Sequence, residues 1–207
     1  MSQKSKQIPM SQQRGFTFLE LLVTISIAAI IAAFAIPGLR DFMRANAVAG
    51  AANQLVAALS YARTEAVTRR TYVKVCRSAD YASFSPTGTF IPSCTSSNGY
   101  EDGWVIWTST SSSATKPAAV ADVLRVSGID TTGGITIRGS AASGVADLVT
   151  FSSTGTSSSA GNIVVCSAKG WGDGSTAQVI QIGIGGRIQS LAGNDAAQTA
   201  VNSCTPS

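Results

Sequence analysis

Hydrophobic spacing changes twice along the chain. From Leu21 to Leu39 no residue is charged, a run of 19 that suits a single membrane-spanning helix. Val48, Ala52, Leu55, Leu59, Ala62 and Ala66 then recur at spacings of four and three, a narrow apolar seam with Arg63, Glu65, Arg69 and Arg70 off it. Together the two patterns predict one long helix from about Phe18 to Arg70, eased or kinked at Pro37-Gly38. After Arg70 the period falls to two. Thr71–Cys76, Gly103–Trp107, Asp122–Val126, Ile135–Arg138, Leu148–Phe151, Asn162–Cys166 and Gln178–Ile182 read as strands.

One helix followed by a run of strands is an α+β arrangement. It predicts a long N-terminal helix, half transmembrane and half amphipathic, packed on antiparallel β-sheet. The seam is short and rich in alanine, which favours packing on its own domain over a coiled coil. Serine- and threonine-rich stretches at 108–115 and 152–160 read as exposed connections. The 207 residues suit one globular domain plus an extra segment. The expected division is a leader at 1–15, a membrane helix at 16–40, its amphipathic half at 41–70 and a β-rich domain at 71–207.

Charge changes this picture little. The net charge is +4, but Lys4, Lys6 and Arg14 all precede residue 16; without them twelve basic residues face eleven acidic ones. Phosphate binding needs a local concentration of Lys and Arg, so the overall bias is a weak argument for nucleic acid. The chain has no histidine, which removes the commonest general base, the Ser-His-Asp and Cys-His arrangements, and histidine metal ligation.

Four scattered cysteines, Cys76, Cys94, Cys166 and Cys204, form no CxxC pair and suggest two disulfides in an exported chain. Sequence alone does not choose among the three connectivities. Proximity along the chain pairs Cys76 with Cys94 and leaves Cys166 for Cys204. Ser113-Ala114-Thr115-Lys116 fits the S-x-x-K pattern of penicillin-recognising enzymes, but in a serine-rich stretch and without its companion motifs. Gly170-Trp171-Gly172-Asp173-Gly174 has one carboxylate, too few for a tight calcium site. Gly183-Ile184-Gly185-Gly186 lacks phosphate-loop spacing. No enzyme, cofactor or metal is expected.

The N-terminus carries the sharpest signal. Lys4, Lys6 and Arg14 before the apolar run favour a cytoplasmic N-terminus, although Arg40 and Arg44 blunt the bias. Ala33-Phe34-Ala35 offers an ordinary signal-peptidase site, with Pro37 at the second position after the cut. Glu20 argues against that reading. An ionised carboxylate at the edge of an apolar span costs a few kcal/mol and calls for a partner; its bland alternative is a residue snorkelling to the interface.

Gln13-Arg14-Gly15-Phe16-Thr17-Phe18-Leu19-Glu20-Leu21-Leu22 resembles the prepilin cleavage motif of type IV pilins and type II secretion pseudopilins. The resemblance implies cleavage by a prepilin peptidase after Gly15, N-methylation of Phe16, and a role for Glu20 in pairing with a terminal amine during assembly. Pro37 matches the helix-bending proline of pilin stems. Ala62-Arg63-Thr64-Glu65-Ala66, Val73-Lys74-Val75-Cys76-Arg77-Ser78, Gly103-Trp104 and Phe151-Ser152-Ser153-Thr154-Gly155 are similar to the H-type minor pseudopilin family, which includes the FimT and FimU minor pilins.

Three roles follow from that resemblance. The first is a FimU-like minor pilin that primes or caps a type IV pilus, and the four cysteines favour it. The second is the H-type pseudopilin of a type II secretion system. The third is a FimT-like DNA-uptake pilin. DNA-binding members carry Gly-Arg-x-Arg where this chain has Gly186-Arg187-Ile188-Gln189, so Arg187 stands alone and reads as a solvated strand residue. The implied partners are the prepilin peptidase, other minor and major pilins and an inner-membrane assembly platform. The implied location is the inner membrane, as a single-pass chain, and then a periplasmic or extracellular filament, at its tip.

Overall fold

The computed structural model describes residues 16–94, 99–129, 134–139, 145, 147–167 and 177–192. They contain a helix, α1 (Phe18–Arg69), and the strands β1 (Tyr72–Arg77), β2 (Trp104–Ser109), β3 (Val123–Ser127), β4 (Thr136–Gly139), β5 (Leu148–Phe151), β6 (Gly161–Cys166), β7 (Ala177–Ile182) and β8 (Ile188–Ala192). The chain divides into two compact units, up to Arg40 and from Asp41, and α1 contributes to both.

In the second unit the strands form two antiparallel sheets in the orders β3-β2-β1-β5 and β4-β6-β7-β8. The six seam residues of α1 are all buried, joined by Ala51 and Ala58. Alanine at half of these sites keeps the helix surface low, so strands from both sheets reach it. Val73, Val75, Trp104, Ile106, Val149 and Phe151 from the first sheet join Ile137, Ile163, Val165, Ile180 and Ile182 from the second in one core. Each set alternates at i, i+2, as a sheet with one face on a helix requires.

The opposite faces are covered too. Cys76, Val105 and Trp107 form a second cluster, with Tyr81, Cys94, Ala114, Val123, Val126 and Leu148 packed on it. Lys74 points into this layer and is fully enclosed. Its ammonium lies 5.5 Å from the centroid of the Trp107 ring and donates to the carbonyls of Ser112, at 2.7 Å, and Ala114. Burial pushes the amine below the usual lysine range. The 108–115 connection is therefore anchored from beneath, although most of its serines remain exposed.

One reading of the sequence changes, and two features are added to it. β8 lies beyond the strands that periodicity predicts, because Ile188-Gln189-Ser190-Leu191 is short and only half apolar. Arg187 lies in the β7–β8 turn, closed by Gly183 donating to the Arg187 carbonyl at 2.9 Å, and is not a strand residue. Arg63, off the seam, is committed to structure: it donates to the carbonyls of Gly155 at 3.0 Å and Gly185 at 3.3 Å, joining α1 to turns in both sheets. Space there is tight, since a Cβ on Gly186 (φ 73°) would sit 1.9 Å from the Gly155 oxygen.

The end of α1 is abrupt. Thr71 donates to the Ala66 carbonyl at 3.2 Å and Arg70 to that of Val67 at 3.4 Å. This is the paired bonding of a Schellman stop, which favours glycine at its left-handed position. Here Arg70 occupies it at φ 54°. A side chain in that region costs roughly 1 kcal/mol. Arg70→Gly is expected to raise the unfolding free energy by about that amount in urea titrations, with the m-value unchanged.

Candidate functional site

The N-terminal unit is built around the first turn of α1. Thr17 precedes the helix, and its Oγ1 accepts the backbone N–H of Glu20 at 3.2 Å. Thr-x-x-Glu is the spacing of a capping box, so Thr17 starts the helix and Glu20 sits in the first turn, where the helix dipole favours a carboxylate. The Thr17–Glu20 spacing is itself the sequence signal for this cap. Glu20 is exposed, and among the described residues no cation pairs with it. Gly15 lies outside the described residues; Phe16 is exposed.

From Phe16 to Arg40 every residue whose side chain is described is exposed, including Phe18, Leu19, Ile30, Ile31 and Phe34. So large an apolar surface needs an apolar environment. Beyond the Thr17 cap, its two other hydroxyls make their own bonds: Thr24 donates to the Leu21 carbonyl at 2.9 Å and Ser26 to that of Leu22 at 2.7 Å. Both are thus satisfied inside the helix, as a lipid-exposed segment requires. The helix is long and apolar enough to cross a membrane. Pro37 lies within it, with helical backbone on both sides.

In the second unit the remaining candidates separate. Ser113 is exposed and hydrogen-bonded to Ser111 at 2.9 Å, among the described residues no base bonds to it, and Lys116 is also exposed. Arg187 is exposed without an ion-pair partner among the described residues, and Gln189 donates to Gln181 across the β7–β8 pair at 2.6 Å. That amide pair occupies the position of the absent second arginine. Gly170–Gly174 lies outside the described residues. Among the described residues no cluster of potential metal ligands occurs.

Cys76 and Cys94 form a disulfide with Cα atoms 5.5 Å apart. Cys166 is also disulfide-bonded, and its expected partner Cys204 lies outside the described residues. The segment closed by Cys76–Cys94 has an acidic clasp. Asp80 accepts from the Ser78 hydroxyl at 2.7 Å, the Ser93 N–H at 2.9 Å and the Ser93 hydroxyl at 2.8 Å. Burial pushes the Asp80 carboxyl up, but these hydrogen bonds outweigh it and hold the group below the usual aspartate value.

Compared with known proteins, residues 51–186 match the family model described as type II transport protein GspH, and residues 10–36 match the prokaryotic N-terminal methylation motif. The fold is similar to a crystal structure of the type IV minor pilin FimU of Pseudomonas aeruginosa PAO1, with 23% identity, a TM-score of 0.53, and coverage of 79% of this chain and 99% of that one. A second crystal form of FimU gives 24% identity, a TM-score of 0.48 and coverage of 75% and 98%. No curated protein matches the chain.

The Asp80 clasp predicts a pH dependence. A carboxyl whose pKa is depressed by folding contributes stability above its unfolded value of about 4 and loses it as pH falls through the folded value. Asp80→Asn is expected to be less stable than the parent at pH 6, and the difference to shrink steadily below about pH 4 in chemical denaturation.

Proposed function

The chain belongs to the GspH family, and from that premise we propose that it is a FimU-like minor pilin, a non-enzymatic subunit that helps start or cap a type IV pilus. The observation that carries the reading is the Gly15-Phe16…Glu20 motif set at the capped start of α1, whose apolar side chains described up to Arg40 are all exposed. Cleavage after Gly15 by a prepilin peptidase accounts for that arrangement. It removes Lys4, Lys6 and Arg14, which would resist extraction from the bilayer, and frees an α-amine at Phe16 for methylation. Residues 16–40 then pass from lipid to an equally apolar filament interior.

Glu20 gives this transfer its direction. In an apolar setting an ionised carboxylate needs an opposite charge, and no cation of its own described unit supplies one. The methylated amine of a neighbouring subunit is the cation that cleavage provides. Four cysteines suit a subunit exposed outside the cell, where nothing refolds it. The type II transport description of the matched family supports a second reading, an H-type pseudopilin of a secretion system. Deletion separates the two: loss of piliation with secretion intact supports the pilus, and the converse supports the secretion system.

Intact mass of the membrane-extracted protein is expected to correspond to a chain beginning at N-methyl-Phe16; a start at Ile36 would establish ordinary signal cleavage instead. Glu20→Ala is expected to be cleaved normally yet to be missing from sheared filaments. Normal incorporation of that variant in immunoblots would rule out the pairing role.

A further inference from the structure

A cavity of about 190 Å³ opens beside the edge of the first sheet, lined by Gln54, Ala57 and Ala58 of α1, Trp104 of β2, and Arg125 and Ser127 of β3. Its position follows from the register. Ser127 stands opposite Trp104 and Arg125 opposite Ile106, so both β3 side chains share the helix-facing side of the sheet. At this edge α1 presents alanines rather than leucines, and the space beneath Arg125 stays unfilled.

The chemistry of the lining is one-sided. Arg125 is its only ionisable group, and among the described residues no carboxylate pairs with it. Its guanidinium lies 6.0 Å from the centroid of the Tyr61 ring, a contact that orients the fork and leaves its N–H groups available. Trp104 carries a buried indole N–H with no acceptor among the described residues. Beside Arg125, the donors of the lining are the Ser127 hydroxyl and the Gln54 amide. Small-molecule pockets run to roughly 300–1,000 Å³, so this space suits a single side chain. One arginine is too little for a polyphosphate, whereas its fork matches a carboxylate.

We propose that this cavity receives the carboxylate of a glutamate or aspartate on an adjoining filament subunit. The outer edge of β3 pairs with no strand among the described residues, which leaves room for the segment bearing that side chain to lie alongside. The filament role supplies only the source of the carboxylate. The site itself is tested without it.

The full chain in detergent micelles is titrated with N-acetyl-glutamate methylamide and, separately, with the glutamine analogue, while the indole N–H resonances are followed. The glutamate compound is expected to shift the Trp104 signal at roughly tenfold lower concentration than the glutamine compound. Arg125→Gln should abolish that difference and Arg125→Lys retain part of it, with the Trp107 signal stationary as a check on folding. Equal responses to the two compounds, or an unchanged preference in Arg125→Gln, would overturn the site. In filament-forming cells Arg125→Glu should accumulate normally in the membrane but be depleted from sheared filaments. Full incorporation of Arg125→Glu would overturn the assignment of the carboxylate to a subunit.

Discussion

Both sheets depend on the same strip of helix. The seam from Val48 to Ala66 supplies the one surface against which β1, β2 and β5 and then β4, β6 and β7 turn their apolar sides. Among the described residues neither four-stranded sheet continues into the other by strand pairing, so their common burial on α1 gives the second unit its main core. The Arg63 bonds to Gly155 and Gly185 repeat the arrangement in polar form, one helical side chain holding a turn from each sheet. The ion pair of Glu101 with Arg138, reinforced by the Ile137 N–H donating to Glu101 at 3.0 Å, adds a tie between the approach to β2 and strand β4.

One helix serves two solvents. Before Arg40 its apolar side chains are exposed all round; after Val48 they narrow to a stripe. The first pattern fits lipid or neighbouring helices, because the backbone is helical from Phe18 on and the hydroxyls of Thr17, Thr24 and Ser26 bond within the segment. The second fits a domain with its own core. The change of pattern, more than total hydrophobicity, separates the part that must find partners from the part that folds on itself.

The outer layer of the first sheet is organised by polar groups over a small apolar cluster. Lys74 holds the serine-rich connection, the Cys76–Cys94 bridge closes the next segment, and Asp80 clasps its end. Irregular backbone rich in serine has little apolar area to bury, so fixed hydrogen bonds and a covalent link substitute for it. Chemistry that looked catalytic in isolation dissolves in this setting: Ser113 is part of a loop whose lysine partner is Lys74, through backbone carbonyls rather than a nucleophile.

The long helix, its seam, seven of the strands and the motif around Gly15, Phe16 and Glu20 are legible in the order of residues alone. Each is written in spacings of a few residues, where periodicity and capping chemistry act. Thr17 belonged to the same class and was legible in principle. Packing settles the rest: how the strands divide between two sheets, that Lys74 is enclosed, that Arg63 braces two turns, that Arg187 sits in a turn, and that Arg125 borders a cavity. Those outcomes rest on partners far apart in the chain, 38 residues for Lys74 and Ser112, 92 and 122 for Arg63 and its two carbonyls. A local pattern cannot specify such contacts, because which groups meet is settled only when the sheets close on the helix.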